Sequence, residues 1–316
     1  MAEDRHHPEH WHKSTWEEKA RENPLHAIMT VEAYRDKTLD DLDHGAPEEF
    51  FAKGRVVYSR MVDAYLTPNE KSRRLSMFDY GCGAGRIMNA VVEAGHDAKG
   101  ADIAPTMVET CKRLVPKASE CVVVGEDGSV ALPDRSCDVV YSYAVLQHIS
   151  TLKAFERALD EMMRIVKPGG LLSVQVNCED FALGDKRSPG HTENYENSSV
   201  HFADPEKGPA RAHAQDNWSG VYIGVDRYIR QVNSGGFHIA DFFYWNPGKR
   251  RAMIFIARRS AGKNAFEPRP DPFRKITANM YRALLKAYVR ETLDRKRLKK
   301  KVQELMEAAG EAGEKI

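Results

Sequence analysis

Short apolar runs alternate with stretches of helical period through the middle of the chain. Residues 75–80, 98–102, 121–124, 137–142 and 171–176 have the length and β-branched content of strands. Between them, residues 85–94, 105–115 and 151–166 carry apolar positions at helical spacing. The last of these stretches stops at Lys167-Pro168-Gly169-Gly170. This β-α alternation predicts a parallel sheet with helices on both faces. Residues 237–245 and 252–257 predict a closing antiparallel pair joined through Asn246-Pro247-Gly248. The fold class expected is therefore α/β, with seven strands, mostly parallel.

The pattern changes on either side of this core. Upstream, Phe50, Phe51, Val57, Met61 and Tyr65 recur at helical spacing, predicting a helix over 47–66 with Pro47 in its first turn. The chain divides into an N-terminal tail and helical cap (1–74), a core domain (75–260) and a C-terminal helical extension (261–316). Inside the core domain, residues 178–220 form a polar, irregular stretch too long for a plain connection. It follows the end of a strand, where ligands of such sheets sit, and reads as a substrate lid. In the extension, Ile276, Met280, Leu284 and Ala287 repeat at helical spacing, as do Leu298, Val302 and Leu305.

Composition narrows the class. The formal net charge is +1, without the basic excess of a nucleic-acid binder. The 286–301 segment does carry eight Lys/Arg against two acids, which reads as a solvated helix face, an oligomer-forming helix or an acidic-surface contact. No apolar run reaches about 18 residues, so no membrane span is expected. The first twelve residues are polar and hold His6, His7, His10 and His12, which read as a tail rather than a signal peptide. A cytoplasmic location is the resulting expectation. Cys82, Cys111, Cys121, Cys137 and Cys178 show no CxxC pair and no metal-ligand spacing, so reduced buried thiols and no metal are expected.

The chemistry concentrates at Asp79-Tyr80-Gly81-Cys82-Gly83-Ala84-Gly85, where a strand turns into a helix. Glycines let a ligand approach the backbone, and the helix start offers free N–H groups. The dinucleotide fingerprint G-x-G-x-x-G would need a glycine where Arg86 stands. Asp79 would also repel a pyrophosphate but suits a cationic amino group. Asp102 ends the next strand, where a carboxylate can accept both hydroxyls of a ribose. Gly125-Glu126-Asp127-Gly128 follows the third strand, and Asp127 could accept from an adenine amino group.

These segments resemble the class I S-adenosylmethionine (SAM)-dependent methyltransferases of the small bacterial UbiE/Methyltransf_11-like type. The resemblance rests on Phe78-Asp79-Tyr80-Gly81-Cys82-Gly83-Ala84-Gly85-Arg86, Gly100-Ala101-Asp102-Ile103-Ala104-Pro105, Leu132-Pro133-Asp134, the segment from Tyr141 to Ile149, and Val166-Lys167-Pro168-Gly169-Gly170. It is strong over 75–176. More weakly, Asn23 to Thr30 and Glu49 to Arg55 resemble the N-terminal cap of one bacterial subgroup, and Gly235-Gly236-Phe237 the end of the last crossover helix. It implies a Rossmann-like methyltransferase fold, a mostly parallel seven-stranded sheet with an antiparallel closing strand. It implies SAM as cofactor and S-adenosylhomocysteine as product. The cofactor-binding residues implied are Asp79, Gly81, Cys82, Gly83, Gly85 and Arg86 for the methionine part, and Asp102, Ile103 and Met107 near the ribose. Glu126, Asp127 and Gly128 would take the adenine end; Tyr143, Gln147 and His148 would flank the methionine and sulfonium.

The candidate bases are His148, Asp180, His191 and His201, with His213 also in the lid. His is the side chain that titrates near neutral pH, but each of these also reads as a loop-ordering or solvated residue. Asn177, Glu179 and Asp180 either line an acceptor pocket or simply start a loop. Trp218 and Tyr222 read as lid core or as stacking platforms. The function expected is methylation of oxygen or nitrogen on a small molecule, a sugar or secondary metabolite. The alternatives are an RNA or protein methyltransferase using the basic C-terminal helix, or a non-catalytic assembly role with that helix pairing chains into a homo-oligomer.

Overall fold

The computed structural model describes residues 8–28, 48–149, 151–178, 192–195, 198–201, 220–244 and 252–260. The helices are α1 (Pro8–Glu22), α2 (Pro24–Ile28), α3 (Glu48–Met61), α4 (Pro68–Lys71), α5 (Arg86–Glu93), α6 (Pro105–Leu114), α7 (Leu152–Ile165) and α8 (Val225–Ser234). The strands are β1 (Ser76–Tyr80), β2 (Asp97–Asp102), β3 (Glu120–Val123), β4 (Cys137–Ser142), β5 (Val166–Cys178), β6 (Thr192–Tyr195), β7 (Ser198–His201), β8 (Gly220–Ile223), β9 (Phe237–Tyr244) and β10 (Ala252–Arg259).

Strands β3-β2-β1-β4-β5 lie side by side and parallel. β10 runs antiparallel to β5 and to β9, so β9 returns parallel to the rest. Those seven strands make the expected doubly wound sheet with one reversed strand. One face packs on α3, α5 and α6 through Val57, Met61, Ile87, Met88, Val108 and Cys111. The other packs on α7 and α8 through Phe155, Leu159, Met162, Tyr228 and Val232. α7 buries one side because its apolar residues recur three and four apart, and the Thr151 hydroxyl caps its start by accepting from Ala154 N. Strand order reverses between β1 and β4, which opens a crevice at their C-terminal ends.

Four expectations need correction. The helix expected over 47–66 ends at Met61, and Asp63–Tyr65 is a 3₁₀ turn. The polar tail is helical from Pro8 onward. Lys167-Pro168-Gly169-Gly170 is not a loop before a strand but lies inside β5. Cys137 pairs with Val166 and Val139 with Leu171, so these four residues bulge out of the ladder. Residues 178–220 are not wholly irregular: β6, β7 and β8 form an antiparallel addition to the same sheet. β8 pairs Tyr222 and Ile223 with Asn177 and Cys178 of β5. One edge of β5 is already taken by β10 at Asn177, so β8 must use the edge of β4, beyond that strand's end. The helix expected in 261–316 lies outside the described residues.

One buried ion pair ties the reversed strand to the N-terminal half. Arg258 of β10 donates from Nη1 to Glu70 Oε1 (2.6 Å), and from Nη2 to Glu70 Oε2 (3.0 Å) and Tyr65 O (2.6 Å). Glu70 also closes a capping box with Thr67 at the start of α4. Burial opposes ionisation of Glu70, but the hydrogen bonds and charge of Arg258 together with the hydrogen bonds from Thr67 outweigh it and hold its carboxyl below the ordinary value. A carboxyl depressed in the folded state contributes stability at neutral pH and loses it as pH falls through that depressed value. Glu70→Ala, which leaves a buried guanidinium unpaired, is expected to remove about 3–5 kcal/mol of stability in denaturant unfolding at pH 7. The difference between variant and wild type should shrink in acid.

Candidate functional site

The turn after β1 is fixed by its neighbour strand. Gly81 N and Cys82 N both donate to Ala101 O, at 2.8 and 2.9 Å. Gly83 N donates to Asp102 Oδ2 at 2.8 Å, and Ala104 N to Oδ1 at 3.0 Å. The carboxylate at the end of β2 is therefore aimed along the crevice edge, with one lone pair on each oxygen still open. Gly81 (φ 82°) and Gly83 (φ 51°) adopt backbone conformations that L side chains disfavour. Space forbids a side chain as well: a Cβ would meet Val145 Cγ2 at 2.2 Å over Gly81, and Ile28 Cδ1 at 2.8 Å over Gly83.

Two carboxyls here are electrostatically unusual. Asp79 is 2% exposed, and its Oδ1 has no hydrogen-bond partner among the described residues. Burial pushes its carboxyl well above the usual range, against the pull of the Arg86 guanidinium, and Asp102 pushes it further. Burial likewise raises Asp102 to about 6, although backbone N–H groups favour its ionised form. Arg86 Cζ stacks 5.7 Å over the Tyr143 ring.

The segment after β4 is wired into the sheet. Gln175 of β5 is buried, accepts from Ala144 N (3.1 Å) and donates to Gln147 Oε1 (2.8 Å). Gln147 Nε2 in turn sits 3.1 Å from His148 Nε2. His148 thus has one ring nitrogen engaged within this network. Asp127 is exposed, and its Oδ1 accepts from Ser129 N and Oγ, at 3.0 and 2.6 Å. Its turn is anchored by the Tyr80 hydroxyl, which donates to Gly128 O at 3.0 Å. That turn continues from β3, whose Val123 pairs with Asp102. Glu126 is exposed; Met107 is buried beside Ala104 and Ala20.

Some residues reach this crevice with no signal in the sequence. Trp16 of α1 meets the His148 ring edge-on at 5.2 Å. Glu17 accepts from Thr106 N (3.0 Å) and Thr106 Oγ1 (2.7 Å), acting as the missing cap of α6. Ile28 covers Gly83. The N-terminal helices therefore seat across the ends of β1, β2 and β4. The lid strands reach the same place from the other side: a Cβ on Gly220 would lie 1.8 Å from Gln147 O. His201 is paired with Gly220 in the ladder, so its backbone is brought to that seam. Asn177, the residue before the last of β5, is fully buried, and neither its Oδ1 nor its Nδ2 has a partner among the described residues. Glu179, Asp180, His191, His213 and Trp218 lie outside the described residues. Tyr222 is buried in β8, in favour of lid core over a stacking platform.

A mostly parallel seven-stranded sheet with one reversed strand, and a glycine turn facing a carboxylate at its switch point, form a Rossmann-like doubly wound α/β domain. Residues 78–174 match a family model described as a methyltransferase domain, and this stretch of the chain is such a domain. An uncharacterised methyltransferase of Mycobacterium tuberculosis is 28% identical over 149 residues, covering 47% of this chain and 58% of that protein. Malonyl-[acyl-carrier protein] O-methyltransferase of Serratia marcescens is 32% identical over 96 residues, covering 30% of this chain and 36% of that one. The match thus spans between about a third and little more than half of the length of these curated relatives. A solved Listeria monocytogenes protein, assigned as an S-adenosylmethionine dependent methyltransferase, superposes with a TM-score of 0.50 at 18% identity, over 66% of this chain and 99% of its own. That likeness is one of fold.

The Glu17 contact yields a test. Burial raises its carboxyl, but the hydrogen bonds from Thr106, together with the Arg21 hydrogen bond and charge, more than offset this and the group lies below its ordinary value. Its contribution is therefore present at neutral pH and lost as pH falls below the ordinary carboxyl range. Glu17→Ala is expected to lower stability by about 1 kcal/mol, the usual worth of a helix cap. It should also speed limited proteolysis within α1, read by mass spectrometry of the fragments.

Proposed function

We propose that this chain is a SAM-dependent methyltransferase acting on an oxygen or nitrogen of a small molecule. The observation that carries the reading is the pair of carboxyls at the switch point: Asp102, held by Gly83 N and Ala104 N, and Asp79, buried with an unpartnered oxygen. A cation-bearing ligand with a ribose suits both. Asp102 would accept the two ribose hydroxyls on its open lone pairs. Asp79 would receive the ammonium of the methionine part, with the backbone of Gly81, Cys82, Gly83 and Gly85 and the side chain of Arg86 around it. Ile103 and Met107 would flank the ribose, and Glu126, Asp127 and Gly128 the adenine end. Asp127 would have to use the oxygen not spent on Ser129. Tyr143, Gln147 and His148 would line the methyl end.

When bound, SAM supplies a methyl group on a sulfonium sulfur. The protein's task is alignment, which can contribute roughly 7–11 kcal/mol to such a displacement. The acceptor's lone pair forms the new bond to carbon, sulfur keeps the electron pair of the broken bond, and the acceptor proton must go to a base or to water. Asn177, a buried amide at the end of β5, would orient the acceptor. His148 and His201, on the two sides of the seam between β8 and the 146–148 turn, are the described candidates for the base; Asp180 and His191 complete the set. The neutral charge balance supports a small acceptor over a nucleic acid.

Calorimetry with S-adenosylhomocysteine tests the reading, and absence of binding would sink it. Asp102→Ala is expected to weaken binding about 10- to 100-fold, the worth of one hydrogen bond to a charged acceptor. The pH dependence has a fixed sign. Both carboxyls are raised in the ligand-free protein, so their ionisation destabilises it as pH rises, while the ligand requires the ionised forms. Affinity should therefore fall as pH drops below about 6, with a proton released on binding in that same acidic range, where Asp102 is protonated in the ligand-free protein. The rise in Tm caused by saturating S-adenosylhomocysteine should be larger at pH 7.5 than at pH 5. Label transfer from methyl-labelled SAM to small alcohols and amines, set against bulk tRNA, separates the acceptor classes.

A further inference from the structure

Three of the five cysteines converge although nothing in their spacing suggests it. Cys82 sits in the glycine turn, Cys111 on α6 and Cys121 on β3, and all three are at least 95% buried. Their sulfurs lie within 4.8 Å of one another, and Cys82 Sγ is 3.5 Å from Cys121 Sγ. A fourth sulfur closes the group: Met88 Sδ of α5 is 3.6 Å from Cys111 Sγ. The sheet makes room for them at Gly100, where a Cβ would lie 2.5 Å from Met88 Sδ and 2.8 Å from Cys82 Cβ. Cys137 and Cys178 are buried elsewhere, in the core on the opposite face of the sheet.

We propose that Cys82, Cys111 and Cys121 form a buried three-thiol site for one soft d10 cation, Cu(I), on the inner side of the glycine turn. Metal–thiolate bonds of about 2.3 Å in a trigonal site place the sulfurs about 4 Å apart, inside the range found. Among the described residues the ligand set is all sulfur, with the Met88 thioether 3.6 Å from Cys111, and no imidazole belongs to it. Thiolate and thioether ligands select Cu(I) among the common ions; a structural zinc site would want a fourth thiolate or an imidazole. Coordination displaces the thiol protons to solvent, and no change of oxidation state is involved. Because Cys82 lies between Gly81 and Gly83, whose N–H groups are tied to Ala101 and Asp102, an ion held here would brace the turn from within.

The test is anaerobic transfer of Cu(I) from its bicinchoninate complex to the full-length, reduced protein, read by loss of the complex's colour. About one equivalent per chain is expected, with a sulfur-only first shell in X-ray absorption. Cys121→Ser and Cys111→Ser should each abolish that equivalent, whereas Cys137→Ser should retain it. Cys121→Val, which fills the space with an apolar group, should melt as a folded protein and still take no copper. Replacing His6, His7, His10 and His12 with Ala should leave the equivalent in place and removes adventitious imidazole binding. No uptake by the wild type, or equal uptake by Cys121→Val, would overturn the proposal. So would a Cys82–Cys121 disulfide, found by mass spectrometry in place of the metal. Zinc held in preference to Cu(I) under competition would overturn the choice of ion.

Discussion

The hydrogen bond from Gly83 N to the Asp102 carboxylate is the constraint around which the rest of the crevice is arranged. It fixes the turn after β1 against the end of β2, and Ala101 O secures the two preceding N–H groups. Once the turn is set, its missing side chains become contact surfaces. Val145, from the segment after β4, fills the space over Gly81, and Ile28, from the N-terminal cap, fills that over Gly83. Segments far apart in sequence thus pack on one tight turn, and a Cβ at either glycine would displace one of them.

The crevice is closed from two directions by elements of different kinds. From one side come α1 and α2, held by the Glu17–Thr106 hydrogen bonds and by the Trp16–His148 ring contact. From the other come β6–β8, docked through the pairing of β8 with the last residues of β5 and through the close approach of Gly220 to Gln147. The two differ in how they are held: β8 buries Val221 and Ile223 in the same core as α7, whereas α1 and α2 rest on small clusters around Leu25, Ala20 and Met107. The helical side, with fewer buried apolar contacts, is the one that opens at lower free energy. His148 belongs to both closures, since its ring touches Trp16 and its turn carries the lid. That double duty favours an organising role for His148 over that of a free base, and it turns attention to His201.

Much of this architecture was legible in the sequence because it depends on local signals. The five parallel strands, their intervening helices and the closing pair follow from apolar period and from Gly and Pro punctuation, and α5, α6 and α7 each fall within about a turn of their expected places. Asp79, the glycines and Asp102 were legible because backbone chemistry at a strand end demands them. What escaped was everything set by long-range contact. Glu17 caps a helix 89 residues away and looks like any acid on an amphipathic helix. Asn177 looks like a loop-starting amide until β8 and β10 flank it on both edges of β5. Lys167-Pro168-Gly169-Gly170 reads as a stop, yet the strand forms around it because Val166 still finds Cys137. The three-cysteine cluster has no sequence motif, since its members come from a turn, a helix and a strand.

The two raised carboxyls set the character of the whole crevice. A buried acid with one oxygen unpartnered is costly, and the neighbouring Asp102 raises the cost of ionising Asp79 further. A protein selected for stability alone would place an apolar residue or an amide at Asp79. Retaining a carboxylate there makes sense where a positively charged guest completes it. The proposed cofactor is such a guest, carrying an ammonium and a sulfonium, and the same burial that penalises the empty site strengthens every attraction once water is excluded. Product loses the sulfonium charge and keeps the ammonium. It would therefore be held at Asp79 but less strongly at the methyl end, beside Tyr143 and His148. The difference in charge between the two states is then what lets one crevice grip the donor and release what remains of it.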